Sequence, residues 1–522
     1  MQNGYVDNLA WSIGRLFDKW VIRQPEKIAV YFDDVPVSYA DLGRAVNRLC
    51  HAFQAMGLKK GDRVAGMGKN ALPPVALYFA AAKIGLVAVP INNRLLGKEL
   101  AYQLNNCRVS ALVFDADFAD AVADALTQTD IQNTHVLAYG APVDEALGQS
   151  YEAVTAACPE TQPEIEDPVS LMDPLAIIYT SGTTGAPKGA VTNHLQTYFK
   201  FMNINLAADL RQDDVMLAPM PLFHSAGLFI CLTPMLLRGG TIATRQSFDP
   251  ALYVADCKTY RPTLTMAITT MFKMIMQHAE PGSDVFSSIR YCMGGGERTP
   301  QSLLDELRDK FGLHMQLGFG QTENSAMVGQ LPDDFGRVDT VGRAGFFSDI
   351  WIENPAGEKL PPDTVGRIMA QGPAVMSGYW EMPEKTAETI KDGVLNTGDL
   401  GTMDDEGRLA LVDREKDMYR SGGENVYPAE IEKLLMDHPK VFNAAVIGIP
   451  DADWGEIGKA FIVTRPDETV APQELLDYFD GKLAKFKWPR QFDFLDALPM
   501  TESGKVKKAE LKQREAERSA RP

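Results

Sequence analysis

The stretch YTSGTTGAPKG, Tyr179 to Gly189, follows directly on the apolar run LAII and decides how the rest of the chain is read. An apolar strand that opens into a loop of hydroxyls and glycines ending in one cation has the parts of a polyphosphate cradle. Thr180, Ser181, Thr183 and Thr184 offer hydroxyls, Gly182, Gly185 and Gly189 let the backbone approach an oxyanion, and Lys188 supplies charge. A short Gly/Thr/Ser run is often only a turn, but this one is long and carries a lysine. The P-loop pattern GxxxxGK[ST] is not met, because Lys188 is followed by Gly189 and then by AVT, so a Walker-type NTPase is disfavoured.

Outward from this loop, apolar patterns alternate in period. From Ser38 to Phe114, SYADLGRAVNRLCHAFQAMG reads as an amphipathic helix, DRVAGMG as a strand, PPVALYFAAAKIG as a buried helix and LVAVPI as a returning strand, the texture of βαβ units on a parallel sheet. A second alternation runs from Leu175 to Met293, with LAIIYT and DVMLAP as strands. After Gly320 short runs separated by Gly and Pro read as β-rich. Beyond Asp417 the pattern predicts a helix over Pro428 to Met436, strands at VFNAAVIGI and AFIVTR, a helix at PQELLDYFDGKLA and a strand at RQFDFLD. The expected fold is α/β: a large N-terminal domain, 1–415, of two βαβ-type sub-units plus a β-rich sub-unit, and a small mobile α+β C-terminal domain, 416–522. The charged DREKD boundary reads as a hinge rather than a tether.

At 522 residues the chain is long enough for several folding units. A formal net charge of -18 opposes binding to nucleic acid or anionic lipid. The longest apolar run, Val75 to Ile91, contains Lys83 and Pro90 and falls short of the roughly 20 residues of a bilayer span. The N-terminus MQNGYVDNLAWS lacks the basic start and apolar core of a secretory leader. Six cysteines without a CxxC pair or a Cys/His cluster read as reduced thiols, and the expected location is the cytoplasm.

The phosphate loop resembles the signature of the adenylate-forming (AMP-binding) superfamily, which includes acyl-CoA synthetases, peptide-synthetase adenylation domains and beetle luciferases. Further blocks stand in that family's order. PLFHSAGL (Pro221 to Leu228) resembles its acyl-site His motif and GFGQTE (Gly318 to Glu323) its aromatic-Gly-x-Thr-Glu motif. GRIMAQGPAVMSGYW with NTGDLG, DREKDMYRSGGENVYPAEIE and PMTESGKVKK resemble its central, hinge and C-terminal lysine blocks. The resemblance is to the acyl-CoA synthetase branch, the fatty-acid and aryl-acid CoA ligases, and it implies ATP, Mg2+ and coenzyme A as partners of a small carboxylic acid.

The resemblance also implies roles. Lys505 would bridge the carboxylate and the α-phosphate, and Glu323 would ligate Mg2+, with Thr322 beside it contacting the α-phosphate and Thr180 in the phosphate loop. Gly318, Phe319 and Gly320 would form one wall of the adenine site. Phe319 stands for the commoner tyrosine and keeps a flat face for stacking. Gly294, Gly295, Gly296 and Glu297 would lie along the other face, although Glu297 and Arg298 stand where many relatives carry small residues. Asp399 and Arg414 would hold the ribose hydroxyls, and Asn396 departs from the usual His of that block. Lys416 matches the hinge, and Ser421, Gly422, Gly423 and Glu424 match the loop that enters the site for thioester formation.

His224 reads as a gate at the carboxylate end of an acyl tunnel, rather than as a core histidine, because of its motif. Ala226, Gly227, Met266, Met271, Met293 and Leu317 are the expected acyl-pocket residues. Their methionines favour a medium-to-long fatty acid or a bulky cyclic or aromatic acid over acetate. The absence of a carrier or condensation segment favours coenzyme A as acceptor. An acyl-AMP ligase or stand-alone enzyme loading a carrier protein is the alternative, followed by a luciferase-like monooxygenase. A non-catalytic acyl-adenylate binding protein is the reading of another class, and retention of Lys505, Glu323 and the phosphate loop opposes it. A homodimer is compatible with the sequence.

Overall fold

The computed structural model describes residues 11–131, 134–180, 186–296, 299–500 and 506–519. Two large sheets dominate. An eight-stranded sheet runs Gly378–Tyr379, Lys188–Asn193, Pro174–Thr180, Val87–Ile91, Arg63–Met67, Ala111–Asp115, His135–Tyr139 and Gln149–Ser150. A nine-stranded sheet runs from Arg343–Ala344 through Ser325–Gly329, Met315–Gln321, Tyr291–Gly295, Leu264–Met266, Val215–Leu217 and Thr241–Thr244 to Ile28–Phe32 and Val35–Ser38. Both are parallel in the middle; the eight-stranded sheet is antiparallel at one edge and the nine-stranded sheet at both.

The local reasons are those of the sequence. The helix Tyr39–Ala55 begins on a capping box made by Ser38 and Asp41. The helix Leu72–Ile84 is buried from Val75 onward and ends on Gly85, whose φ of 76° suits a residue without Cβ. It runs directly into the strand Val87–Ile91, which accounts for the long apolar run. No helix among the described residues is long and apolar enough to cross a membrane.

One expectation is corrected. The strand Pro174–Thr180 opens the second alternation in sequence, yet it pairs with Val87–Ile91 in the eight-stranded sheet, so the phosphate loop leaves the first sheet and not the second. Conversely, Ile28–Phe32 crosses to pair with Thr241–Thr244. The two sub-units are thus interlocked, and one buried cluster contains residues from Ile13 to Ile268.

A five-stranded sheet of Asp349–Glu353, Gly366–Gln371, Val394–Met403, Ile390–Lys391 and Leu409–Arg414 accounts for the β-rich texture after Gly320. A last five-stranded sheet joins Glu424–Val426, Tyr419–Ser421, Gly455–Thr464, Val441–Asp451 and Gln491–Phe494, with helix Pro428–Met436 packed on it. The helix expected over PQELLDYFDGKLA stops at Phe479, where Asp480 turns extended and Gly481 takes a φ of 73°.

Candidate functional site

Thr180 ends its strand and pairs in register with Lys188, its Oγ1 donating to the Lys188 carbonyl at 3.3 Å. Ser181, Gly182, Thr183, Thr184 and Gly185 lie outside the described residues, as do Glu297 and Lys505. Close approach explains Gly189: a Cβ there would meet Ile177 Cγ2 at 2.6 Å.

Lys188 extends across the ring of Tyr379, its Nζ 4.4 Å from the ring centroid and 3.4 Å from the phenol oxygen. Tyr379 in turn donates to Glu323 Oε1 at 2.7 Å. Burial and the Glu323 carboxylate both push the phenol pKa up, so the hydroxyl keeps its proton and serves as donor. Desolvation lowers the pKa of Lys188 while Glu323 opposes that shift. The backbone tightens the same junction, because Met376 N donates to the Glu323 carbonyl at 2.7 Å and Trp380 N to the Gly189 carbonyl at 2.8 Å. Three separate motifs therefore meet through Tyr379, a residue that the sequence reading quoted but gave no role.

On the other side of Glu323, Asp399 and Arg414 are register partners and form an ion pair at 2.7 Å. Gln321 donates from Nε2 to Asp399 Oδ2 at 2.5 Å and to the Thr397 carbonyl at 2.8 Å. Gln321 was also missed, although it is the variable position of GFGQTE. Asn396 accepts from Gly398 N at 2.9 Å and so shapes the turn before Asp399.

Gly295 faces Gly318 across the parallel pair Tyr291–Gly295 and Met315–Gln321, and a Cβ on Gly295 would sit 3.0 Å from the Gly318 carbonyl. Gly296 takes a φ of 82°. Phe319 is 7% exposed and belongs to a buried cluster with Met327, Val328, Ile352 and Ile368, so much of its face is engaged inside the protein. Gly320 follows it toward Thr322.

His224 is half-buried, and its Nδ1 accepts from Ala226 N at 3.2 Å, which leaves the proton of the neutral ring on Nε2. Ser225 Oγ lies 3.3 Å from Thr322 Oγ1, tying the His motif to the Thr-Glu motif. Ala226 opens a π-helix, Ala226–Leu232, and Gly227 sits where a Cβ would fall 2.2 Å from the Pro221 carbonyl. Met266 and Met293 are register partners on adjacent strands, Gly294 pairs Leu317 on the next, and Met266 Sδ lies 4.0 Å from Cys231 Sγ of the π-helix. Met271 packs beside them from the helix Thr269–Met276.

Lys416 is exposed between Asp413, which accepts from Ala429 N at 2.8 Å, and the last sheet. Ser421 and Glu424 close a hairpin through Gly422 and Gly423, whose φ values are 60° and 87°. Gly422 lies against Trp454, where a Cβ would be 2.8 Å from the indole. The ends of the segment around Lys505 are joined by an antiparallel bridge between Met500 and Val506.

Comparison with known proteins agrees with this geometry. The chain is 37% identical over 503 residues to a feruloyl-CoA synthase of Amycolatopsis, covering 95% of this chain and 98% of the relative. It is 34% identical to an indoleacetate–CoA ligase of Aromatoleum aromaticum, at 95% and 97% coverage. Among solved structures, ATP-bound MatB of Rhodopseudomonas palustris aligns with a TM-score of 0.88 and 30% identity over 96% of this chain and 98% of its own. The o-succinylbenzoate CoA synthetase of Bacillus subtilis bound to its acyl-adenylate aligns with a TM-score of 0.84 and 30% identity, at 95% and 97% coverage. The AMP-binding enzyme model matches residues 17–380 and the AMP-binding enzyme C-terminal domain model residues 430–505, a span that takes in the Lys188–Tyr379–Glu323 junction, and the chain belongs to the AMP-binding enzyme family.

Proposed function

We propose that this chain is an AMP-forming acid–CoA ligase whose acid is bulky and aromatic. The observation that carries the reading is the single line of contacts from Lys188 through Tyr379 to Glu323, flanked by the Gln321-supported Asp399–Arg414 pair. It presents a cation, a carboxylate and a ribose-sized polar pair around one strand end. The aromatic acids in the names of the feruloyl-CoA, indoleacetate and 2-succinylbenzoate relatives support the ring over a fatty chain. The deformable methionine wall of Met266, Met271 and Met293 is suited to it.

In the first half-reaction the acid's carboxylate oxygen attacks the α-phosphorus of ATP, an acyl–phosphate bond forms and the bond to pyrophosphate breaks. Two anions must approach each other, so fixed positive charge and hydrogen-bond donors dominate the chemistry. Lys188 holds the departing phosphates with Thr180, Ser181, Gly182, Thr183, Thr184 and Gly185, and Lys505 carries charge to the carboxylate and α-phosphate. Asp399 and Arg414 fix the ribose, and Gly295, Gly296, Glu297, Gly318, Phe319 and Gly320 border the base. Thr322, held by Ser225, faces the α-phosphate, and His224 closes the carboxylate end of a pocket lined by Ala226, Gly227, Met266, Met293 and Leu317.

Glu323 would hold Mg2+ together with phosphate oxygens. The described residues contain no cluster of three or more His, Cys, Asp or Glu, which fits a hard cation that takes most of its ligands from nucleotide and water. When bound, Mg2+ neutralises phosphate charge. In the second half-reaction the thiol of coenzyme A attacks the acyl carbon, AMP leaves and the thiol proton passes to solvent. We assign 1–415 to the AMP-binding domain and 416–522 to a domain that turns at Lys416 and brings Ser421, Gly422, Gly423 and Glu424 to the pantetheine arm. All six cysteines are free, in keeping with a reducing cytoplasm.

Mass spectrometry of products from aromatic, alicyclic and aliphatic acids incubated with ATP, Mg2+ and coenzyme A tests the reading. An aryl thioester with stoichiometric AMP is expected. Adenylate without thioester would replace coenzyme A by a carrier protein as acceptor, and thioesters from fatty acids alone would overturn the aromatic assignment.

A further inference from the structure

The helix Gly97–Cys107 lies in the first alternation, outside every motif quoted above, and no step above uses it. Two of its side chains, one turn apart on the same face, reach the two ends of the phosphate loop. Tyr179, the residue before Thr180, donates from its phenol to Asn106 Oδ1 at 2.6 Å. Tyr102 donates to the carbonyl of Pro187, the residue before Lys188, at 3.0 Å. Burial pushes up the pKa of both phenols, so each keeps its proton and serves as donor. Tyr179 is also the register partner of Gly189, where a Cβ would sit 3.3 Å from Tyr179 Cζ.

The helix is a firm base, because its last four carbonyls, which no later turn of the helix can meet, all have partners. Leu104 O accepts from Val109 N at 3.2 Å and Asn105 O from Arg108 N at 3.0 Å. Asn106 O accepts from the indole Nε1 of Trp380 at 3.1 Å, and Cys107 O from Arg63 Nε at 2.6 Å. The Arg63 guanidinium also lies over the Trp380 ring, 5.7 Å from a ring centroid, and sets a positive charge at the helix's negative end. Trp380 follows Tyr379, and its backbone N–H already holds the Gly189 carbonyl. The strand before the loop, the segment after it and the Tyr379–Trp380 edge therefore converge on one short helix.

Pairing of Thr180 with Lys188 closes the loop but does not aim it, because the end of a hairpin can tilt about its own strands. Contacts from outside the hairpin fix that tilt, and ends fixed in advance reduce the ordering that a phosphate must impose on a glycine-rich loop. We propose that Tyr102 and Asn106 are positioning residues for the phosphate loop, which brace its two ends from the helix Gly97–Cys107 and set its grip on the outer phosphates of ATP. The inference rests on the reading above in which Lys188 and its loop hold those phosphates. It adds two residues that act through Tyr179 and Pro187 rather than on the nucleotide.

Titration calorimetry of the full chain with ATP·Mg2+ and, separately, with AMP tests it without turnover. AMP lacks the phosphates that the loop would hold and keeps the ribose that Asp399 and Arg414 would fix. Asn106→Leu removes the acceptor of Tyr179 and keeps the backbone carbonyl that Trp380 uses. It should weaken ATP·Mg2+ about 3- to 10-fold, the range of one lost hydrogen bond, and leave AMP within about 2-fold of the wild type. Tyr102→Phe should show the same selectivity, and serves should the first variant not fold. Combining Asn106→Leu with Tyr179→Phe should add nothing to the loss from either, because the two substitutions break one bond. Unaltered ATP binding in either folded single variant, additive losses in the combination, or a loss shared equally by AMP would overturn the proposal. A shared loss with a lowered thermal midpoint is the mark of a helix that only supports the fold. Selective loss of ATP binding with no thioester formed from any acid would instead reject the ligase reading and leave the brace standing.

Discussion

Tyr379 is the residue on which the candidate site turns. Its hydroxyl is a single donor spent on Glu323, and its ring is the surface that Lys188 crosses. Tyr379→Phe keeps the ring and removes the donor, so the Glu323 carboxylate loses an orienting bond worth about 1.5–3 kcal/mol. The expected result is a fall in kcat/KM for ATP·Mg2+ of roughly 10- to 100-fold, with KM for the acid little changed, measured as pyrophosphate release over a grid of ATP and Mg2+ concentrations. An equal loss in both substrates would mean that the hydroxyl supports the fold and not the nucleotide end. The motifs stand out in one dimension, because they are runs of hydroxyls, glycines and cations at fixed spacing. Tyr379 and Gln321 do not. Each acts on a partner 56 or 78 positions away, and only the pairing of strands brings them together. Phe319, expected as a stacking face, also belongs to a buried cluster with Met327, Val328, Ile352 and Ile368, a contact that its motif alone does not announce.

Helices and strands divide in the same way between what is local and what is not. Apolar faces and helix extents were readable, as the helices Tyr39–Ala55 and Pro428–Met436 attest. Sheet membership was not, since the strand Pro174–Thr180 joins the sheet before it and Ile28–Phe32 the sheet after it. Interlocking of this kind leaves a titratable seam. His194, the first residue of helix His194–Ala208, is buried and its Nδ1 accepts from Ile13 N at 3.1 Å, so the chain's early helix Ile13–Arg23 starts on this ring. Burial lowers its pKa from 6.5 to about 4. The folded state refuses a proton that the unfolded chain accepts, so this contribution to stability is complete above pH 6.5 and is lost as pH falls towards 4. The slope in that window is at most about 1.4 kcal/mol per pH unit. Thermal midpoints of the wild type should therefore drop from neutral to mildly acidic pH more steeply than those of His194→Gln, which keeps an acceptor and does not titrate. Parallel curves would assign the acid sensitivity to other groups.

At the scale of the whole molecule, the two half-reactions make incompatible demands. On the proposed mechanism adenylation uses the Lys505 cation at the carboxylate, whereas thioester formation uses the glycine hairpin Ser421–Glu424 at the same point. If both roles hold, a rigid body cannot present the two at once, and a few backbone torsions would absorb the proposed turn. Lys416 is suited to this: it is exposed and follows directly on Glu415, which is bound to Arg367 at 2.7 Å, while Asp413, three residues before it, accepts from Ala429 N of the last helix-and-sheet unit. Proline at 416 fixes φ near −65° and constrains residue 415 as well. Lys416→Pro should leave pyrophosphate release from ATP and acid within a few-fold of the wild type and slow thioester formation from a supplied acyl-adenylate by roughly 100-fold or more, the scale set by losing the site's geometry. Lys505→Ala should do the reverse, abolishing adenylation while sparing conversion of the supplied adenylate. If Lys416→Pro slowed both half-reactions equally, the residue would be a structural joint and the turn would have to lie elsewhere. Opposite losses in the two variants would assign the two chemistries to two orientations of one domain.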